Sequence, residues 1–282
     1  MSWHTGRMVL LDFESTGIDP HRDRVVTAAV IEAGGGEPTR VSEWLVKPGV
    51  VIPEGATQVH GITTEHAETN GVDAAGAVHE IGEHLVRCTA ARMPVVGHNV
   101  TYDLTMLRSE LIRHDQPDLA DQVANIRPVV DTAVIERHLD PFRPKNPNGR
   151  RPDDACGSHT LVDCCRLWGV GLSEDDAHGC VADALAAGRL AWRLATDPER
   201  FAPFDGRRSL PRINPADYTA DLLHDWQIEQ KREQAESLAK WLVGQGKPDD
   251  VAREWPIAPP PDGWTPQQVS AGVAVAQQGV AS

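Results

Sequence analysis

Apolar and polar positions alternate from residue 9 onward. In a strand, successive side chains point to opposite faces. Val9, Leu11 and Phe13 therefore share one face, and Leu10, Asp12 and Glu14 share the other. Residues 24–31 are apolar and β-branched and predict a second strand. Residues 39–46 alternate and predict a third, after the turn at Gly34-Gly35-Gly36. Short connections make these three an antiparallel meander. The period then lengthens. Val78, Ile81, Leu85 and Val86 fall at helical spacing within 72–90, and Leu104, Leu107 and Leu111 within the helix after Asn99. A short buried strand, 94–97, precedes that helix, and Asn99 is a suitable N-cap. Residues 129–132 end another strand and enter a helix reaching about residue 139. Helices are predicted over 160–168, 181–194 and 216–243. Segments 48–64, 140–158 and 173–179 read as irregular.

Strands followed by helices interleaved with short buried strands imply a mixed α/β sheet flanked by helices. The pattern divides into a core of residues 1–197, a proline- and arginine-rich linker of 198–215, and a C-terminal extension of 216–282. The extension starts with a helix bearing Leu222, Leu223, Trp226, Leu238, Trp241 and Leu242. It becomes proline-rich over 248–266, and 267–278 reads as a weak helix or disorder.

Composition narrows the class. The 282 residues carry a formal net charge of −14, with 40% hydrophobic and 24% charged positions. Such a balance excludes a broadly basic, DNA-coating protein. It allows an enzyme that grips nucleic acid locally, because bound cations also count. No signal peptide and no membrane-length apolar run is visible. The five cysteines form no Cys-x-x-Cys pair, which fits a reducing cytoplasm without a disulfide framework or zinc site.

The chemistry sits at the end of the first strand. Two carboxylates aimed one way are costly unless a cation meets them, and Mg²⁺ or Mn²⁺ prefers carboxylate oxygen. With 41 acidic residues in the chain, an Asp-x-Glu pair also arises by chance. Two further segments carry similar residues: His98-Asn99 with Tyr102-Asp103, and His178-Gly179-Cys180-Val181-Ala182-Asp183. Five helical residues rotate by about 500°, so His178 and Asp183 cannot face one site from a single helix. His178 therefore belongs to the loop before the helix and Asp183 to its first turns.

These segments together resemble the DEDDh branch of 3′–5′ exonucleases, which includes the epsilon proofreading subunit of bacterial DNA polymerase III. Leu10-Leu11-Asp12-Phe13-Glu14-Ser15-Thr16-Gly17-Ile18-Asp19-Pro20 matches the first motif of that branch. His98-Asn99 with Tyr102-Asp103 matches the second, and His178 with Asp183 the third. Val59-His60-Gly61-Ile62-Thr63 and the strand end Asp131-Thr132 agree as secondary marks. The resemblance covers about residues 8–195 and implies a ribonuclease H-like fold. It implies two Mg²⁺ or Mn²⁺ ions held by Asp12, Glu14, Asp103 and Asp183, with His178 as general base. It also implies nucleotide contacts from Ser15, Thr16, Gly17, His60 and Asn99, and leaves His98 a structural support. The expected activity is hydrolysis from the 3′ end of DNA to 5′-mononucleotides, with a DNA polymerase or another replication or repair protein as a possible partner and no membrane. The alternatives are an exoribonuclease acting on short RNA and a non-catalytic, polymerase-associated nucleic-acid-binding module. The sequence departs from the branch in a long proline-rich loop, 141–152, whose Arg143, Lys145, Arg150 and Arg151 would contact phosphates or remain at the surface.

Overall fold

The computed structural model describes residues 2–141, 158–172, 179–197, 213–261 and 263–264. Five strands form one sheet: β1 (Arg7–Ser15), β2 (Val25–Gly34), β3 (Arg40–Leu45), β4 (Val95–Gly97) and β5 (Val129–Asp131). Their order is β3-β2-β1-β4-β5. β1, β2 and β3 pair antiparallel, and β4 and β5 join β1 in parallel. This is the mixed sheet predicted by the apolar pattern.

The alternation along β1 separates two cores. Val9, Leu11 and Phe13 pack with α3 (Ala74–Ala90), α4 (Thr101–Arg113) and α5 (Pro117–Ala124) through Ile81, Leu107 and Leu119. Met8 and Leu10 face α6 (Thr132–Leu139), α7 (Leu161–Trp168) and α8 (Cys180–Thr196) through Ile135, Trp168 and Leu190. Asp12 and Glu14 continue this second face, toward α8. Buried alanines and Gly188 let α8 lie close to β1. A Cβ at Gly188 would stand 2.7 Å from Leu10 Cδ1. The absent side chain thus leaves room for Leu10 beneath α8.

Three local expectations change. Residues 48–64 are not wholly irregular, because α1 (Glu54–His60) lies there and α2 (Thr64–Asn70) follows. Each is only seven residues long, and α1 buries none of them, so no apolar stripe marks it. α5, whose buried positions are only Leu119, Ala120 and Val123, was not expected either. Asn99 is not the N-cap of α4. Val100 holds that position, and Asn99 adopts the left-handed conformation with φ 62°.

The last helix, α9 (Ala220–Gly244), is capped by the Thr219 side chain, which accepts from the Leu222 N–H. It lies on the β5 edge of the sheet, with Leu223 in the second core. The chain then crosses that edge, and Trp255 enters the first core. Residues 248–261 contain no helix or strand. The expectation for 267–278 falls outside the described residues.

Candidate active site

The carboxylates reach one place by three routes. Asp12 and Glu14 stand at the C-terminal end of β1, where the β1–β2 register shifts between Glu14 and Ser15. Asp183 lies in the first turn of α8 and Asp103 in the first turn of α4. One carboxylate oxygen from each of Asp12, Glu14 and Asp183 lies within 4.8 Å of the other two. Asp103 completes the approach from the other side of the sheet. It is 5% exposed, and its Oδ1 accepts from the Phe13 N–H at 2.9 Å.

Like charges gathered in a buried place resist ionisation. Burial, and then the charges of Asp103, Asp183 and Glu14, hold Asp12 well above the usual carboxylate range. Burial also raises Asp103, despite the hydrogen bonds from its own and the Phe13 backbone, and Asp131 and Glu14 add to the rise. Burial and Asp183 push Glu14 up to about 8. A group like this either keeps protons or takes a cation. All its donors are oxygens, which suits a hard divalent ion. Oxygens bound about 2.1 Å from Mg²⁺ lie up to about 4.2 Å apart, so the spacing needs little adjustment. The residues therefore fit a divalent metal.

The turn after β1 is held firmly. Ser15 Oγ lies 2.7 Å from the Gly17 carbonyl oxygen and 2.6 Å from the Tyr102 hydroxyl, which also hydrogen-bonds that carbonyl. The Thr16 N–H donates to Arg24 O, and its hydroxyl donates to Asp23 and accepts from the Arg24 N–H. Thr16 thus spends its polar groups on the turn. A Cβ at Gly17 would meet the Asp23 carboxylate at 2.6 Å and would have to displace it from the Thr16 hydroxyl and the Asp19 N–H that hold it.

The other expected residues divide. Asn99 donates its N–H to Asp131 Oδ1 at 2.8 Å. His98 supports the neighbouring strand ends: Nδ1 lies 2.8 Å from the Thr132 hydroxyl, and Nε2–H donates to His159 O at 2.9 Å. Thr132 in turn donates to Gly97 O at 3.0 Å. His60 ends α1, and its Nδ1 accepts from the Ile62 N–H at 3.1 Å, a turn-closing contact. His178 and most of the 141–152 loop, including its four basic residues, lie outside the described residues. The sequence marked Asp131 only as a strand end. It is fully buried, caps α6 by accepting from the Ala133 N–H at 2.9 Å, and holds Asn99. Its position before a helical Thr was the available signal.

A family model described as Exonuclease (RNase T) matches residues 9–191. The chain belongs to that family. A DNA polymerase III PolC-type protein of Lacticaseibacillus paracasei is 28% identical over 208 residues, which is 73% of this chain and 12% of that protein. A DNA polymerase III subunit epsilon-like protein of Rhodobacter capsulatus is 27% identical over 190 residues, 66% of this chain and 23% of the relative. This exonuclease-family chain therefore spans less than a quarter of the length of these curated relatives. The crystal structure of E. coli exonuclease I in complex with a dT13 oligonucleotide superposes with a TM-score of 0.54 at 23% identity. The match covers 69% of this chain and 42% of that one. That likeness bears out the ribonuclease H-like fold. Among the described residues, no helix is long and apolar enough to cross a membrane.

Proposed function

We propose that this chain is a metal-dependent 3′–5′ exonuclease that shortens DNA and releases 5′-mononucleotides in the cytoplasm. One observation carries the reading: Asp12, Glu14 and Asp183 converge within 4.8 Å, with Asp103 buried behind the same strand end. In this family setting Asp12, Glu14, Asp103 and Asp183 would hold two Mg²⁺ or Mn²⁺ ions. Such ions acidify bound water and stabilise charge on the phosphoryl group.

The chain's own residues supply the rest. The Ser15–Gly17 turn and Asn99 receive the terminal nucleotide, and Tyr102 keeps the Gly17 carbonyl in place. His60 is assigned a nucleotide contact by the same reading. His178 takes the proton of the attacking water, a task suited to an imidazole near neutral pH. The water oxygen bonds to phosphorus, the bond to the neighbouring 3′ oxygen breaks, and that oxygen takes up a proton. DNA is favoured over RNA because the relatives are DNA polymerase III proteins and the structural neighbour holds dT13. A DNA polymerase or a repair protein is the matching partner.

The test is incubation of labelled single-stranded DNA, duplex DNA and RNA oligomers with Mg²⁺ or Mn²⁺, beside EDTA and Asp12→Ala controls. Stepwise 3′ shortening of DNA that both controls abolish supports the proposal. Faster shortening of RNA would make the chain an exoribonuclease. Binding without cleavage of any substrate would leave a non-catalytic module.

A further inference from the structure

Segment 213–264 follows the family match, yet it is wired into the site. β5 is an edge strand, and its outer backbone groups need partners. α9 provides them with side chains. His224 Nδ1 accepts from the Val129 N–H at 3.1 Å. Burial, and then the Arg127 guanidinium, push His224 down to about 4, so the ring is neutral and free to accept. Gln227 is fully buried and bridges the next step of the strand. Its Nε2 donates to Val129 O at 3.0 Å, and its Oε1 accepts from the Asp131 N–H at 2.7 Å. One amide side chain does the pairing that a further strand would do.

Trp255 arrives from the other side of the edge. Its ring lies against His224 at 4.9 Å, and its indole N–H points to Asp131 Oδ2 at 3.4 Å. The second oxygen of Asp131 holds the Asn99 N–H. Asn99 has φ 62°, a left-handed backbone that asparagine tolerates better than most side chains, and its N–H bond to Asp131 fixes the loop in that shape. The contacts thus run from Gln227 and Trp255 to Asp131, and from Asp131 to Asn99.

We propose that α9 and the stretch around Trp255 form a built-in brace of the nucleotide-binding loop, with Gln227 and Trp255 as positioning residues that hold Asp131 and, through it, Asn99. This rests on the exonuclease reading for what Asn99 contacts. Neither side chain belongs to the carboxylate cluster. Loosening the brace weakens capture of the 3′ end and spares the hydrolytic step.

Two variants test it in the full chain. Trp255→Phe keeps an aromatic ring in the core and removes the N–H together with part of the indole's bulk, which the melting temperature reports. Gln227→Leu keeps the bulk and removes both strand-edge bonds. KM and kcat are measured on a single-stranded DNA oligomer, with melting temperature and backbone hydrogen exchange over 95–104 alongside. The expected result is a KM raised about fivefold for Trp255→Phe and about tenfold or more for Gln227→Leu, with kcat within about twofold of the parent. Exchange at 98–101 rises in both. Parental KM and exchange in Trp255→Phe overturn the proposal, as does a fall in kcat at constant KM. If Gln227→Leu does not fold, Trp255→Phe decides alone. If the parent cuts no oligomer, the exonuclease reading fails separately. The brace is then judged by exchange and by dTMP binding in Ca²⁺, and is overturned if Trp255→Phe leaves both at parental values.

Discussion

Two glutamates at opposite ends of the β1–β2 pair meet opposite fates. Glu32, which faces Val9 in the register, is hydrogen-bonded by Arg7 and His84 and lies 3.7 Å from Arg40. Burial alone would raise it, but the bonds from His84 and Arg7 outweigh burial and hold it below the usual range. Glu14, at the other end, faces Asp12 and Asp183 and is pushed up to about 8. Among the described residues no basic side chain pairs with Asp12 or Glu14. Glu32, His84 and Cys88 also present donor atoms within 4.8 Å of one another. There the guanidiniums already compensate the carboxylate, and a cation would have to displace them. Proximity of donors is therefore not enough to mark a metal site. What distinguishes the Asp12 end is charge left for something else to neutralise.

Several measurements would break or sharpen that contrast. The largest effect belongs to Asp12→Asn, which should lower turnover on a DNA oligomer by at least about 1,000-fold. The same variant should melt higher than the parent in EDTA, because it removes repulsion; a lower melting point would contradict the account of the cluster. Next comes pH. The folded pKa of Glu14 is raised from 4.5 to about 8, so the folded state binds more protons than the unfolded one between those values. Stability in EDTA should therefore fall as pH rises from about 4.5 to about 8, and saturating Mg²⁺ or Mn²⁺ should flatten the fall. Melting curves across that range, identical with and without cation, would remove the case for a metal site. Glu32→Gln should do the reverse of Asp12→Asn. It should cost about 1–3 kcal/mol in denaturant unfolding by stripping Arg7 and His84 of their charged partner, and leave kcat unchanged. The smallest effect is expected of Tyr102→Phe. Losing the hydroxyl at Gly17 O should raise KM by about threefold to fivefold without unfolding the chain, as read by steady-state kinetics beside a melting curve.

Much of the site was legible because its parts are local. Alternation along β1 aims Asp12 and Glu14 together, and Asp103 and Asp183 each fall in a first helical turn, where short-range rules apply. The central sheet was legible for the same reason. Asn99 was misassigned because a left-handed residue and an N-cap favour the same side chain, and only the bond to Asp131 decides between them. The brace was hidden more deeply. Gln227 interrupts the apolar pattern of α9 and reads as a surface position, yet it is among the fully buried residues. Its reason for being polar lies 96 residues earlier, in the backbone of β5. Hydrophobic periodicity carries no information about such a debt. The short helices α1, α2 and α5 escaped because they bury few residues, none in α1 and only Ala67 in α2, whereas α6 and α7, no longer than α5, carry more of the larger apolar side chains.

The close seat of α8 on β1 has a consequence for how this site could change over evolutionary time. Gly188 touches no ligand, and glycine costs about 1 kcal/mol in a helix interior relative to alanine. Yet a methyl there would meet the tip of the Leu10 side chain at 2.7 Å, so Leu10 would have to shift beneath the helix that carries Asp183, five residues earlier. The packing beneath the helix that carries Asp183 thus depends on an absent methyl. Drift at position 188 would therefore register first in how Leu10 packs against α8, while every acidic residue of the cluster stayed in place.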